Sequence, residues 1–419
     1  MNVNLYSLIP KNIPSSAKLF LTGVIFQGIA NGIFNVVLQL YFTSLGFSGS
    51  TLGSIFMMNA LSAAILTLPM GILADRVGKR KLLLVGFLMV TIGTLIFLGT
   101  QSPLMIMFSF LCIGVASSTS VVLSPLYSSF FVDNDMDKAF SLWMALGVVT
   151  YSLGSLFGYI PPFLVNIFGM TFQRAYWILM AIGTVFFISP FIFFIISAKR
   201  DETEPSRKGT SLILTSKGLV LKFSLIAFFR QAAFGVFLSL FPFYVNQKLG
   251  IQSDALGTLM FLTSFAMAAA QMAAPKISEK FGSVITIALV IGLSAPLYML
   301  MPFASSFTIL SALYILRFSL VSLSQPLISS TYMKNLAEEE KSTANGIRMT
   351  FMQGGNVVGP WLGGQLMETV SLGFPALLGG GLTVVTAVFT LFLLKDVIPD
   401  ARVRARGTGG ARSHVSECR

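Results

Sequence analysis

Residues 71–81 read GILADRVGKRK and place one acid, Asp75, among four cations. The stretch ends a long apolar region, because no charged residue occurs between Lys18 and Asp75. An apolar run of roughly 20 residues is long enough to cross the hydrocarbon of a bilayer as a helix. The charges therefore predict a point at which a membrane helix ends and a water-facing loop begins.

The composition of the whole chain indicates the same class. Hydrophobic residues make up 54% of the 419 residues, charged residues 11%, and the mean hydropathy is +0.81. Long apolar runs, rather than short alternating segments, predict helices instead of a β-barrel. Residues 1–18 do not resemble a cleavable signal, so we expect the first helix to remain. Cys112 and Cys418 form neither a disulfide framework nor a thiolate metal motif.

Twelve apolar runs predict an all-α membrane protein of two pseudo-symmetric six-helix bundles. A polar segment, AKRDETEPSRKGTSLILTSKG at residues 198–218, separates six runs from six. We expect an N-terminal segment at 1–17, bundles at 18–198 and 218–394, a linker at 199–217 and a basic tail at 395–419. The runs lie near residues 18–45, 50–73, 81–99, 103–131, 139–166, 175–198, 218–247, 254–276, 283–302, 306–333, 343–368 and 372–394.

The positive charges predict the orientation of these helices. With both termini cytoplasmic, the cytoplasmic segments hold 22 of the 28 Lys and Arg residues, and the opposite loops hold only Arg174 and Lys248. Such an excess marks the cytoplasmic side, so we expect a multi-pass protein of the plasma (inner) membrane with both termini inside. The net charge of +12 follows from this distribution and from contact with anionic membrane lipids, and it does not indicate binding of nucleic acid.

The two halves of the chain repeat each other. Two constant shifts across six helices predict related bundles. A shift of 204 residues aligns Gln27 with Gln231, Gly46 with Gly250, Gly53 with Gly257 and Gly78 with Gly282. A shift of 201 aligns Pro125 with Pro326, Ser141 with Ser342, Gly154 with Gly355 and Gly158 with Gly359.

In the first register, residues 71–80 stand opposite PKISEKFGSV at 275–284. The first copy resembles the signature between helices two and three of major facilitator superfamily transporters, Gly-x-Leu-Ala-Asp-Arg-x-Gly-Arg-Lys, with Lys79 as a basic replacement. The resemblance covers residues 15–396. The matching positions are Gly71, Leu73, Ala74, Asp75, Arg76, Gly78, Arg80 and Lys81.

The resemblance implies alternating access, in which the bundles rock about a central cavity lined by helices one, four, seven and ten. Helices two, five, eight and eleven would then meet across the halves. Glycines four residues apart in helices five and eleven favour such close approach. They are Gly154 and Gly158 in helix five, and Gly355, Gly359 and Gly363 in helix eleven.

Arg230 and Arg317 are candidate substrate ligands, since each lies about eleven residues into a predicted span. A charge at that depth costs about 3 kcal/mol or more and needs a partner. The sequence places no carboxylate or histidine at mid-membrane depth, and a guanidinium suits an anion. In the alternative, the two cations are satisfied by helix carbonyls, water, Gln231 and Gln325, and the arginines stabilise the fold.

Helix one carries a polar stripe on one face, Gln27, Asn31 and Asn35, at four-residue spacing. The amides are predicted to bind substrate or, in the alternative, to join helices. Tyr127 is a candidate aromatic wall of the same cavity.

The signature loop is predicted to act as a conformational gate. The family fold brings Asp75 to the start of helix eleven, near residues 342–348, when the cytoplasmic side is shut. A carboxylate there meets the positive end of the helix dipole, and Arg348 adds to the attraction. Arg76 and Arg80 are expected to hold the loop in the cytoplasm and to reach the acidic residues of VDNDMDK at 132–138.

Gly71 and Gly78 are expected to permit, respectively, close helix approach and a tight turn in that gate.

The leading functional hypothesis is a monomeric transporter of a small organic solute, anionic if the two arginines bind it, working by facilitated diffusion, exchange or secondary active transport. The alternatives are polyspecific efflux of lipophilic drugs, and a receptor or assembly factor that uses the same fold without transport. No residue constellation predicts an enzyme, a metal site or a cofactor.

Overall fold

The structure, a computed structural model, describes residues 13–131, 133–199, 216–336 and 340–394. All secondary structure in these ranges is helical. The residues outside them include residues 1–12, most of the predicted linker and the whole predicted tail at 395–419. The twelve helices, numbered in chain order, are α1 Ser15–Ser44, α2 Gly49–Val77, α3 Lys79–Gly99, α4 Pro103–Ser128, α5 133–168, α6 Phe172–Lys199, α7 Lys217–Leu249, α8 Ser253–Phe281, α9 Ser283–Phe303, α10 Phe307–Lys334, α11 Lys341–Thr369 and α12 Phe374–Leu393.

Eleven helices in the described ranges are long and apolar enough to cross a membrane. The remaining one, α11, is as long as α2 and α8 at 29 residues. It falls short in hydropathy because polar side chains recur along it, among them Arg348, Gln353 and Asn356. The prediction of an all-α, twelve-helix architecture is confirmed.

Four of these helices tighten into 3-10 turns next to prolines. The turns lie at Thr119–Val122 in α4, Leu156–Tyr159 in α5, Leu238–Leu240 in α7 and Met301–Phe303 at the end of α9. A proline lies inside or shortly after each turn, and a proline cannot donate the helical hydrogen bond. These prolines are Pro125, Pro161, Pro242 and Pro302.

Several helices extend beyond the predicted apolar runs. Helix α5 begins at residue 133 rather than 139, and α8 continues to Phe281 rather than 276. Both extensions are polar in sequence, so hydropathy alone misses them. Acidic residues such as those in DNDMDK favour the first turn of a helix, which explains the earlier start of α5.

Helices α1–α6 and α7–α12 form the two bundles, and their cores are joined at one end only. We call the end where residues 199 and 216 lie the linker face, and the opposite end the far face. A continuous apolar core at the far face includes Val37 and Tyr41 of α1 together with Phe241 and Tyr244 of α7. At the linker face each bundle has a separate core. The halves are therefore held together mainly at the far face.

Glycines close the far face. A Cβ atom placed on Gly53 of α2 would overlap the carbonyl oxygen of Pro360 of α11, and one placed on Gly257 of α8 would overlap that of Ser155 of α5. Ser155 also donates a hydrogen bond to the Gly257 carbonyl over 3.2 Å. Helices two and eleven, and five and eight, thus meet across the halves as the family resemblance implies. We call this contact zone the far-face seal.

The glycines predicted to face the other half in α11 instead face their own bundle. Gly355, Gly359 and Gly363 pack against the backbone of α7, because an added Cβ would overlap residues 228–236. The glycine of α11 that reaches the other half is Gly364, which abuts the carbonyl of Gly49. The four-residue glycine spacing therefore predicted close packing of α11 correctly. The prediction of its neighbour was wrong, because these glycines pack against α7 and not against the other half.

The structural repeat between the later helices is 205 residues rather than 201. The Tyr127 hydroxyl donates to the Ala139 carbonyl over 3.1 Å, and the Tyr332 hydroxyl donates to the Ala344 carbonyl over 2.8 Å. The two bonds are equivalent at a shift of 205 residues. This shift is four residues, about one helical turn, longer than the shift of 201 found in the sequence. Glycines that recur every four residues align equally well at either shift.

Candidate functional site

A cavity of about 1070 Å³ lies between the bundles and extends from the far-face seal toward the linker face. Helices α1, α4, α7 and α10 line it, as the family resemblance implies, and so do α2, α5, α8 and α11. Among the described residues that line it, none carries a charge. Its amide side chains are Gln27, Asn31, Asn35, Gln39, Asn59, Gln271, Gln353 and Asn356, and its aromatic side chains are Phe34, Phe56, Phe110, Trp143, Tyr151, Phe234, Tyr314 and Phe318.

The polar stripe predicted on helix one faces this cavity. Gln27, Asn31 and Asn35 all line it, and Gln39 continues the stripe by one more turn. Because α1 is helical without interruption from Ser15 to Ser44, residues four apart lie above one another on the same face. The helical spacing therefore placed these three side chains at the cavity.

A matching polar group stands on the second bundle as a chain of three amides. Gln231 of α7 donates to the side-chain oxygen of Asn356 over 2.6 Å, and Asn356 donates to that of Gln353 over 2.6 Å. Asn356 and Gln353 line the cavity, whereas Gln231 does not. Gln231 therefore contacts a cavity residue and not the cavity itself, and its direct contact with substrate stays a prediction.

Arg317 does not line the cavity, so its role as a substrate ligand stays a prediction that the lining does not support. The side chain is 4% exposed. Its guanidinium carbon lies 5.0 Å from the ring centroids of Tyr298 and of Phe318. The negative faces of aromatic rings attract a cation at this distance, so the charge is held inside the second bundle.

Arg230 likewise stays outside the cavity lining. Its Nη2 donates to the side-chain oxygen of Gln325 over 3.3 Å. Gln325 is one of the partners expected if the arginines are structural, and it does not line the cavity either. Neutral groups thus meet part of each intramembrane cation, while Arg230 Nη1 and Arg317 Nε are buried without a hydrogen-bond partner among the described residues.

Tyr127 was predicted as an aromatic wall, and the structure places it in the core of the first bundle instead. It is fully buried, and its ring stacks on Phe20 with centroids 4.7 Å apart. Its hydroxyl is used by the bond to the Ala139 carbonyl. Aromatic residues are too numerous in this sequence for one position to indicate a cavity wall.

A smaller cavity of about 180 Å³ adjoins the first one within the first bundle. Gln27 and Asn31 line both cavities, and Ser117 and Ser120 of α4 add hydroxyls to the smaller one. The amide stripe of α1 therefore separates two spaces and can offer hydrogen bonds to either.

The turn in the signature loop forms as predicted at Gly78. This residue has φ of +94°, a value that glycine adopts readily, and α3 begins at the next residue. Gly282, its equivalent at the shift of 204, has φ of +83° between α8 and α9. Arg76 is exposed and Arg80 is half-buried in this loop. The backbone of Asp75 lies in the last turn of α2, but its side chain lies outside the described residues, so the predicted latch stays a prediction.

The other gate residues contact their own bundles. A Cβ atom on Gly71 would touch only Val121 of α4. Arg348 donates to the side-chain oxygen of Asn345 over 3.1 Å, and its guanidinium carbon lies 5.5 Å from the centroid of Tyr332. These contacts fit the separate cores of the bundles at the linker face.

Besides Gln39, which extends the stripe on α1, four amides that line the cavity were not identified from the sequence: Asn59, Gln271, Gln353 and Asn356. Each is an amide in an otherwise apolar or small-residue stretch, the same signal that located the stripe on α1. The signal was weaker because these amides do not recur at four-residue spacing on one helix.

Comparisons with known proteins agree with this architecture. A sequence model of the Major Facilitator Superfamily matches residues 20–353 and 223–417. Multidrug resistance protein 2 of Bacillus subtilis is 24% identical over 378 residues, covering 86% of this chain and 92% of that protein. Quinolone resistance protein NorA of Staphylococcus aureus is 23% identical over 372 residues, covering 88% and 93%.

Solved structures share the fold. The nucleoside transporter NupG superposes with a TM-score of 0.70 at 14% identity, covering 91% of this chain and all of that one. A bacterial homologue of the lysosomal transporter Spinster superposes with a TM-score of 0.63 at 14% identity, covering 93% and 96%. Together with the family match across most of the sequence, the twelve-helix architecture means that this chain belongs to the Major Facilitator Superfamily and is a transporter rather than an enzyme.

Proposed function

We propose that the protein exports bulky, amphipathic organic molecules of little net charge through the central cavity, by alternating access. The observation that carries this proposal is a cavity of about 1070 Å³ lined by interleaved amide and aromatic side chains, with no charge among the described lining residues. Pockets for drug-sized ligands typically measure about 300–1,000 Å³. The space suits cargo at or above that size.

The lining chemistry favours broad rather than narrow selection. An amide both donates and accepts hydrogen bonds, so one side chain can serve cargo of either polarity. Aromatic faces bind flat apolar groups, and the flexible thioethers of Met144, Met260 and Met267 fill irregular gaps. Such a surface holds many related molecules with moderate affinity instead of one with high affinity.

The same lining disfavours a strongly charged cargo. Moving an isolated ion into a poorly solvated site is costly unless an opposite charge pairs with it. Arg230 and Arg317, the groups that motivated an anionic solute, lie outside the lining, so that hypothesis loses its main support. Efflux of lipophilic compounds, which the sequence analysis gave as an alternative to transport of an anionic solute, becomes the preferred function.

Two kinds of relative support transport of small molecules. The named activities of the Bacillus and Staphylococcus proteins are resistance to multiple drugs and to quinolones. A nucleoside transporter shares the fold, which agrees with a small organic solute.

Membrane orientation completes the proposal. Placing the linker face in the cytoplasm puts 22 of the 28 Lys and Arg residues there, as the positive-inside rule requires. The protein would act as a monomer in the plasma (inner) membrane, with both termini cytoplasmic. A cavity that extends toward the linker face would then load cargo from the cytoplasm.

The test uses an efflux-deficient bacterium that expresses the full chain. Cells are loaded with a neutral amphipathic dye or with a carboxylate dye of similar size, and retention is followed over time. We expect faster loss of the neutral dye, reduced by the double substitution Asn31→Leu and Asn35→Leu but not by Asn335→Leu, an exposed asparagine outside the cavity. Preferential export of the carboxylate dye, or no export of either, would overturn the proposal.

A further inference from the structure

Helix α7 is interrupted where it crosses α1 near the far face. A 3-10 turn at Leu238–Leu240 separates its two α-helical parts, and Pro242 follows, which has no N–H to donate. An interruption inside a membrane leaves backbone groups that must find other partners. The partners found here come partly from the other half of the protein.

The side-chain amide of Gln39 fills this interruption. Its Nε2 donates to the carbonyl of Ser239 over 2.7 Å, and its Oε1 accepts from the N–H of Phe243 over 3.1 Å. In an uninterrupted helix, the Phe243 N–H would donate to the Ser239 carbonyl, four residues earlier. The amide of Gln39 is thus inserted between the two groups that would otherwise bond to each other.

The position of Gln39 makes this contact a joint between the halves. Gln39 lies on α1 of the first bundle, is 6% exposed, and bonds to its own repeat equivalent, 204 residues later. The same side chain lines the cavity, as do Ser239 and Pro242. One residue therefore touches both the space for cargo and the backbone of α7 in the far-face core.

We propose that Gln39 couples the cavity to the far-face seal by switching a backbone hydrogen bond in α7. With the far face closed, the amide holds α7 broken and bound to α1. When the halves separate at that face, the amide leaves with α1, and the Phe243 N–H pairs with the Ser239 carbonyl. Helix α7 then straightens, and neither backbone group is left unpaired in the membrane.

This switch rests on alternating access as proposed above, but not on the cargo class. Its test therefore needs no cargo. Ser155→Cys serves as the reporter, in a Cys112→Ser, Cys418→Ser background, because Ser155 is fully buried where α5 meets α8. A membrane-impermeant maleimide is added from the far-face side, and the rate of labelling measures how often the seal opens.

Gln39→Met removes both hydrogen bonds while nearly keeping side-chain length. We expect labelling to rise by about fivefold or more, since loss of one typical hydrogen bond shifts a two-state equilibrium by roughly that factor. The matched control is Gln365→Met, the same change at a half-buried glutamine of α11, which should leave labelling unchanged. Equal labelling in Gln39→Met and the parent protein would overturn the proposal.

A second variant approaches the switch from α7. Pro242→Ala restores a backbone N–H and favours the straight helix, so it should also raise labelling. If Gln39→Met does not reach the membrane, this variant decides the question. Unchanged labelling of folded Pro242→Ala protein would then refute the switch. Raised labelling together with failed export of the neutral dye would refute the cargo class alone.

Discussion

Gly53 of α2 lies directly against the carbonyl of Pro360 of α11, with no room for a side chain between them. The same relationship recurs between Gly257 and Ser155 on the other side of the molecule. Backbone contact of this kind is how helices approach closely in lipid, where burial of apolar side chains gives little reason to associate. The far-face seal is therefore built from backbone fit as well as from apolar burial.

Adding side-chain volume at Gly53 should prevent the seal from closing. For Gly53→Val we expect a longer distance between spin labels on the far ends of α2 and α11, together with loss of transport, because the added carbons overlap the Pro360 carbonyl. Gly381→Val is the control, since an added Cβ there meets nothing within 4 Å. An unchanged distance in folded Gly53→Val protein would show that the seal tolerates a side chain.

The hydroxyls of Tyr127 and Tyr332 should contribute similarly to stability. Each donates to an alanine carbonyl twelve residues later, at equivalent places in the two bundles. Phenylalanine at either site should lower the free energy of unfolding by about 1 kcal/mol, measured by denaturation in detergent. Affinity for cargo should not change in Tyr127→Phe. A selective loss of binding in that variant would restore Tyr127 as a cavity residue.

Arg317 should matter for stability and little for binding. Its guanidinium lies over Tyr298 and Phe318, a planar contact that lysine does not reproduce. We expect Arg317→Lys to lower the free energy of unfolding by about 1–2 kcal/mol, the range for a desolvated cation–π pair. Arg174→Lys, an exchange at an exposed arginine, is the control. If Arg317→Lys kept its stability but bound cargo more weakly, Arg317 would be a binding residue and not a structural one.

The predicted latch at Asp75 concerns the opposite face. Asp75→Asn removes the charge that would meet the first turn of α11 when the linker face closes, a favourable contact of about 0.3–2 kcal/mol. We expect the linker-face ends of α2 and α11 to spend more time apart, seen as a longer average spin-label distance, in a protein that still folds. Distances identical to those of the parent protein would remove the latch from the mechanism.

Sequence patterns predicted the features that depend on local periodicity. The twelve helices, the amide stripe at Gln27, Asn31 and Asn35, and the turn at Gly78 follow from hydropathy, helical spacing and glycine geometry. The start of α5 and the end of α8 were missed because the residues that extend these helices are polar and give no hydropathy signal. Local signals suffice wherever the neighbouring residues decide the outcome.

Features that depend on distant partners could not be predicted. The depth of Arg317 in its helix was clear, but the rings that hold it include Tyr298 on another helix. The insertion of Gln39 into α7 joins residues 200 and 204 positions apart. The repeat register slipped by one turn because glycines at Gly154 and Gly158 align with α11 at two shifts. The surroundings of Arg317, the insertion of Gln39 and the repeat register all depend on tertiary contacts, which the pattern of a single helix does not contain.

The central claim is that cargo binds in the uncharged central cavity. The most direct test is to measure the equilibrium binding of a neutral amphipathic dye to the purified protein. The Asn31→Leu, Asn35→Leu double variant should weaken binding by about tenfold or more, as expected for the loss of two hydrogen bonds. Arg230→Gln and Arg317→Gln should each change the dissociation constant by less than about twofold, since neither side chain lines the cavity. Binding that survives loss of the amides but fails without the arginines would contradict the account.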